Sequence, residues 1–482
     1  LLDGGHVSQP AVQHSQSSAA QKGMHAMPVI SRRDFLQHTA AASGLTAGLF
    51  GRDALGALNP SKVDFRVAYP RTRIPVSFII DDSTCLVNMG HYCMPQFAAA
   101  WPERAIYRKP WNTWPREIPD TFVREFGEWC AAQGVKGKYS VVPNPACVGW
   151  IDRGLPGWSR GQLQDSLKLV RQLLLPNWDI HPEMITHTRV IDLKTGRPFA
   201  EISPATMENS YPRTKMSVDH LASYLAYALR IVKNCDLPCE GVTTPGGFGN
   251  LVKSELSVAV QQALRDVYQT EIPHYFKYVR NGDENTEPVL EHVTERVNGA
   301  PDLTVNVPAG TGDWFGGWDG DRGPEGPRYC NADASGGRMV DLIERGQPAV
   351  MLCHWPGMYT QGTKQGFAAF QRVVTALNTK YRDRIQWMKL SEIARYWAAR
   401  KLTHLGRQQN KLVMQAPFAC PDFTLHNNEP LDSAPRLIHG NQAIKLREVT
   451  QPSQLKSMTW VRTPRSTTCC IALPRGRSEL AW

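Results

Sequence analysis

Between residues 74 and 400, short apolar runs alternate with longer amphipathic segments, and this limits the fold more than any other feature. The runs "VSFIID" (76–81), "KGKYSVVP" (136–143), "LTVNVPAG" (303–310) and "PAVMLCHWPG" (348–357) are of strand length and end in Pro, Gly or charge. Residues 118–134, 159–176, 217–235, 254–268, 336–346 and 366–381 carry apolar side chains at helical spacing, several with a Ser, Asp or Gly at an end. A strand then enters a helix at 385–400. Strand–helix alternation argues for an α/β fold with parallel strands. This many units in ~340 residues fit a closed or nearly closed (β/α) barrel of about seven parallel strands.

The flanks read differently. Residues 1–57 are a leader. "SRRDFLQHTAAASGLTAGLF" (31–50) resembles a bacterial twin-arginine export signal: Arg32 and Arg33, then Phe35 and Leu36, a short mildly apolar stretch, and small residues at 54–57. Met27 is a candidate start. This signal implies passage through the twin-arginine translocase and a periplasmic or extracellular location. The barrel is assigned to 58–402. Residues 403–482 lack clear periodicity and are expected to form a poorly ordered basic tail. No run approaches the length of a stable membrane span. The net charge of +10 is dispersed, with much of it in that tail, and no nucleic-acid motif accompanies it. Eleven cysteines at irregular spacing define no zinc or redox framework.

Reactive groups in such a fold collect at the C-terminal ends of strands. There the chain offers Asp81-Asp82, then His181, Glu183 and His187, then Thr244-Pro245-Gly246-Gly247, then Asp313-Trp314, and finally His354. Imidazole and carboxylate at strand ends point to a hydrolytic metal site. Strand parity puts Val76, Phe78, Ile80 and Asp82 on one face, His181, Glu183 and His187 on another, and Val350, Leu352 and His354 on a third. If those faces point inward, Asp82, His187 and His354 converge.

In this order the residues resemble the polysaccharide deacetylases, a carbohydrate-esterase superfamily with a distorted (β/α) barrel. The resemblance spans about residues 75–400. It implies that Asp81 is the general base, and Asp82 and His187 ligands of a divalent metal, Zn²⁺ in the first instance. It implies that Pro245 and Gly246, with Trp314, line the substrate, that Asp313 orients His354, and that His354 is the general acid. The substrate implied is an acetylated glycan. The family's second metal histidine, four residues after the first, corresponds here to Ile191; His181 and Asp192 are the candidate replacements, and His91 is a further candidate that would reach the site from a loop. Thr243 stands where the family has an arginine that orients the base. Two rival functions use the same residues. One is a glycosidase with two carboxylates, for example Asp82 and Glu183. The other is a non-catalytic glycan-binding or structural barrel.

Overall fold

The computed structural model describes residues 64–83, 85–295 and 301–482, and Leu55–Trp482 cluster as one compact unit. The twin-arginine segment lies outside the described residues. The fold is α/β with parallel strands. We number its strands β1 (Ile74–Asp81), β2 (Gly137–Val141), β3 (Trp178–Pro182), β4 (Gly241–Thr243), β5 (His274–Phe276), β6 (Pro301–Asn306), β7 (Ala349–His354) and β8 (Ile385–Trp387). One sheet runs β7-β1-β2-β3, with β8 parallel to the start of β1. The other contains β4-β5-β6, all parallel, and an antiparallel edge strand Val289–Glu295. Isolated parallel bridges link the two sheets on both sides, Glu183 with Thr243 and Asp313 with Leu352.

Helices connect the strands: α1 (Met89–Ala100), α2 (Asp120–Ala132), α3 (Arg160–Leu169), α4 (Val218–Asn234), α5 (Lys253–Tyr268), α6 (Arg338–Glu344), α7 (Gln365–Lys380) and α8 (Leu390–Leu402). Ser159 caps α3 with a reciprocal capping box, and Ser217 caps α4 by accepting from His220 N. Asp120, anticipated as a cap, is instead the first helical residue of α2, and its carboxylate accepts from Ser166 Oγ (2.8 Å). Periodicity alone does not reveal α1 or β5.

The parity of β1 is the reverse of that anticipated. Val76, Phe78 and Ile80 pack against the helices, where Phe78 stacks on Phe370 at 4.5 Å. Ile79 faces the opposite way, toward Leu303, Val305, Val350 and Leu352, and Asp81 lies on that same face with Lys138 and Ser140. The inner face carries the polar residues, so the more uniformly apolar face of the strand covers the helices.

The C-terminal segment is ordered, contrary to the expected tail. Residues 404–481 supply nine strands to two five-stranded sheets. One sheet also takes Phe65–Val67, paired antiparallel with Cys420–Asn427, so the assigned boundary at 58–402 cuts through it. Leu412, Met414, Leu437 and Leu480 of one sheet share a core with Phe423, Leu425 and Ile471 of the other and with Tyr396 and Trp397 of α8. The strands there differ in burial: Gln442–Lys445 is wholly exposed, whereas Cys420–Asn427 and Ser466–Leu473 are mostly buried but mix Thr, Cys, Asp and His with apolar residues. All eleven cysteines are free thiols, ten of them buried. No described helix is long and apolar enough to cross a membrane.

Candidate active site

Asp81 ends β1 opposite His354, the last residue of β7, in the parallel ladder. Asp82 follows with φ of 53°, a left-handed conformation that Asp tolerates better than most side chains. The strand therefore breaks at Asp82 and not at Asp81. That break places both carboxylates in one buried region instead of on opposite faces.

Asp81 is buried and held by two partners from β2. Lys138 Nζ bonds its Oδ1, Ser140 Oγ donates to the same oxygen at 3.0 Å, and Lys138 also donates to Ser140 Oγ at 2.8 Å. The Lys138 side chain is fully buried. A buried lysine without a counter-ion is costly, so this pair is an obligate one. Burial and the nearby Glu183 push the Asp81 carboxyl up to about 6, against the pull of Lys138. Sequence reasoning misses Lys138. Its signal is a charged residue inside an otherwise apolar strand, "KGKYSVVP".

Asp82 meets His187 and Glu183. His187 Nε2 lies 2.8 Å from Asp82 Oδ1 and 3.4 Å from Glu183 Oε1, while Asp82 N donates to Glu183 Oε2 at 2.8 Å. All three side chains are buried and their ligating atoms lie within 4.8 Å of one another. Glu183 is thus the carboxylate that stands with Asp82 beside His187. The partner lies four residues before His187 and not four after it, where Ile191 stands. Burial alone would raise Glu183, but His187 and Lys138 hold it at about 2. Burial disfavours the imidazolium of His187, yet Asp82 and Glu183 outweigh this and hold its pKa well above the ordinary histidine value.

The loop carrying His187 is not the strand that parity implied. β3 ends at Pro182, and Met184 (φ 51°) and His187 (φ 64°) turn the chain. Glu208 fixes that turn by accepting from Ile185 N (3.1 Å), Thr186 N (3.1 Å), His187 N (2.6 Å) and Tyr224 Oη (2.5 Å). Burial pushes the Glu208 carboxyl up to about 7, opposed by the Tyr224 hydroxyl and the N–H groups of Thr186 and Ile185.

His354 Nδ1 lies 2.7 Å from Asp313 Oδ2. Burial opposes a charged imidazole, but Asp313, with help from Asp82 and Asp81, pushes His354 up to about 10. Asp313 is positioned by Tyr329, whose Oη donates to Leu352 O (2.6 Å) and accepts from Trp314 N (2.7 Å). This ties the Asp313 loop to β7.

Other expected site residues are placed elsewhere. His181 does not join Asp82 and His187. It points to a different group, with its Nε2 3.0 Å from His274 Nε2. Strand alternation explains this: His181 and Glu183 are two residues apart, so they share a face at different depths. Pro245 and Gly246 form a turn closed by Phe248 N to Pro245 O (2.9 Å), with Gly246 (φ 43°) against Asn209. Trp314 packs on Tyr329 and under Arg328. Phe315 is core, stacked on Tyr329 at 4.0 Å. Trp318 instead joins Phe97 and Tyr107, and Phe97 in turn packs at 6.3 Å from the His187 ring. His91 bonds Trp114 O through Nδ1 (3.0 Å) on α1.

A three-point set of two carboxylates and one imidazole suits a divalent cation. The donor set supports the fit: two buried carboxylates close on one imidazole nitrogen, and Asp82 Oδ1 meets His187 Nε2 at 2.8 Å as an ion pair without making an aligned hydrogen bond.

No family model matches the chain, and no curated protein matches it. Among solved structures it is similar to a protein assigned as a polysaccharide deacetylase from Mycobacterium smegmatis, with 13% identity over 73% of this chain and 100% of that one, at a TM-score of 0.38. It is similar to a T48 deacetylase with substrate, with 8% identity over 67% of this chain and 91% of that one, TM-score 0.30. It is also similar to an alpha-L-fucosidase, with 9% identity over 86% of this chain and 98% of that one, TM-score 0.31. All three TM-scores lie below 0.5, so none of these likenesses bears on what this chain does.

Proposed function

We propose that this chain is an exported, metal-dependent hydrolase resembling the polysaccharide deacetylases, built on a distorted seven-stranded barrel, that removes acyl groups from a glycan. The observation that carries it is one constellation. Asp81, held by Lys138 and Ser140, sits in register with His354, which is held by Asp313, beside the Asp82–Glu183–His187 group. The two sheet-linking bridges are what favour a closed barrel. Export and a periplasmic or extracellular location rest on the twin-arginine pattern alone.

In this reading Asp82, Glu183 and His187 hold the ion. A divalent ion there supplies positive charge that polarises the acyl carbonyl. Asp81 takes a proton from the attacking water as its oxygen bonds the acyl carbon. Lys138 and Ser140 keep that carboxylate aimed. The C–N or C–O bond then breaks, and His354 gives the leaving nitrogen or oxygen its Nε2 proton, with Nδ1 held by Asp313. Trp318 and Tyr107, with Phe97 behind them, provide an aromatic wall near His187 suited to sugar stacking.

The glycosidase reading fits less well. Its two carboxylates must flank a glycosidic bond, whereas Asp82 and Glu183 both close on the one His187 nitrogen, at 2.8 and 3.4 Å. Metal analysis of the purified chain together with product analysis tests the proposal. Acetate release with sugar chain length unchanged, lost on Asp81→Asn, supports it. Shortened sugars would support the glycosidase, and no turnover of any acylated glycan the non-catalytic barrel.

A further inference from the structure

β3, β4 and β5 are neighbours, and Gly241 on β4 lies between His181 on β3 and His274 on β5. A Cβ at residue 241 would stand 2.4 Å from His181 Nε2 and 2.6 Å from His274 Nε2. The absent side chain is what lets the two imidazoles meet. They meet nitrogen to nitrogen, Nε2 to Nε2 at 3.0 Å, both fully buried. Asp179 Oδ2 lies 3.9 Å from the same His274 Nε2.

We propose that Asp179, His181 and His274 form a second divalent-cation site, for an ion of the zinc class, separate from Asp82, Glu183 and His187. Two nitrogens on one tetrahedral zinc at about 2.0–2.1 Å each stand roughly 3.3 Å apart, close to the observed spacing. The set of two imidazoles and one carboxylate leaves a fourth position open. Metal ligands are normally anchored by their other atoms; here Asp179 Oδ1 and His181 Nδ1 are so held, whereas Asp179 Oδ2 is shared with Ser391 N and His274 Nδ1 has no hydrogen-bond partner. Asp179 accepts from Ser391 N at 2.6 Å and Ser391 Oγ at 2.8 Å, and His181 Nδ1 lies 3.4 Å from Thr243 Oγ1.

A cavity of about 720 Å³ opens between α8 and the C-terminal sheets, lined by Glu240, Ser391, Glu392 and Asp422 among others. Ser391, on its wall, is the residue that holds Asp179. Glu240, also on the wall, accepts the His274 backbone N–H at 3.2 Å. Charge on that wall is balanced, with Asp422 paired to Arg71 at 2.7 Å and Glu392 to Lys136 at 2.8 Å.

The test counts ions. Full-length protein is stripped with chelator, titrated with Zn²⁺ by calorimetry, and checked by elemental analysis. The Asp82→Ala/His187→Ala variant should still bind one equivalent, and the His274→Gln variant should lose one equivalent relative to wild type. The Asp179→Asn variant, nearly isosteric and retaining the imidazole pair, should fold as wild type by circular dichroism and bind that ion more weakly. Ser391→Ala should weaken it about 10–100-fold. The inference is overturned if the Asp82→Ala/His187→Ala variant binds no zinc. It is equally overturned if well-folded Asp179→Asn and His274→Gln proteins bind as wild type does. The readings at the two sites fail independently. A chain that binds one ion, lost on His274→Gln and kept on Asp82→Ala/His187→Ala, would retain this site and remove the other.

Discussion

Replacing Asp313 by Asn tests the acid half of the proposed chemistry. Asp313 Oδ2 and His354 Nδ1 are 2.7 Å apart, and His354 is pushed up to about 10 although burial works against its charge. Opposite charges about 4 Å apart at an effective dielectric constant of ~20 attract by about 4 kcal/mol, or about three pKa units. Asn keeps the shape and an acceptor oxygen but removes the charge. The alkaline limb of kcat/KM should therefore fall from near 10 to about 7. The sign for stability is fixed by the same shift. His354 is raised above its unfolded value, so its contribution is complete below pH 6.5 and is lost as pH rises through about 10. In Asp313→Asn that loss should be over near pH 7. The assay is acetate release from an N-acetylated oligosaccharide across pH 5–11, with the His354 ring followed by NMR. An activated aryl ester, whose leaving group needs no proton, is the control and should be affected far less. An alkaline limb that stays near 10 in the variant would refute the assignment of His354 as an acid tuned by Asp313.

Lys138→Met leaves Asp81 buried without its counter-ion, so unfolding free energy should drop by about 3–5 kcal/mol, read by urea titration. An unchanged midpoint would show that the pair contributes nothing. Glu183→His sets a second imidazole beside His187 in place of the carboxylate and should retain one bound ion at this site, whereas Glu183→Ala should weaken it at least tenfold by calorimetry. Equal affinity in the two variants would remove Glu183 from the shell. Glu208→Ala leaves the N–H groups of Ile185, Thr186 and His187 without their acceptor. Metal affinity at Asp82–Glu183–His187 should fall although no ligand is touched, and unaltered affinity would show that the turn holds itself.

The strand–helix order was legible because buried strands and amphipathic helices carry strong local patterns. The Asp-Asp ending, His187, Asp313 and His354 were legible because charged groups at the ends of apolar runs are rare without a partner. Two kinds of information were not local. The inner face of β1 is decided by what the other strands contribute, namely Lys138 and Ser140, so parity within "VSFIID" could not fix it. The partner of His187 depended on a turn whose positive φ values at Met184 and His187 are stabilised by Glu208, twenty-one residues from His187. The C-terminal strands lack a clear local pattern because Thr, Cys, Asp and His stand among the apolar residues even in the well-buried Cys420–Asn427 and Ser466–Leu473. Their core forms by pairing across long sequence separations, such as Phe65 with Asn427.

The departures at Ile191 and Thr243 do not by themselves mean decay of a site. In the proposed reading, the orienting cation beside Asp81 is Lys138, which reaches it from the adjacent strand instead of from the strand that carries Thr243. In the same reading, the second ligand beside His187 is Glu183, from the same turn. Glu183 brings a negative charge where an imidazole would be neutral. That extra charge sits close enough to be a main cause, after burial, of the raised Asp81 carboxyl. Asp82, Glu183 and Asp81 then form a concentration of buried anions balanced by Lys138, His187 and His354 alone. Such a cluster favours a divalent cation electrostatically more than a two-histidine shell would, and harder, oxygen-preferring ions become more competitive with zinc. Relative affinity for Mn²⁺ over Zn²⁺ should accordingly decrease in Glu183→His, and an unchanged ratio would show that the added carboxylate does not set the ion.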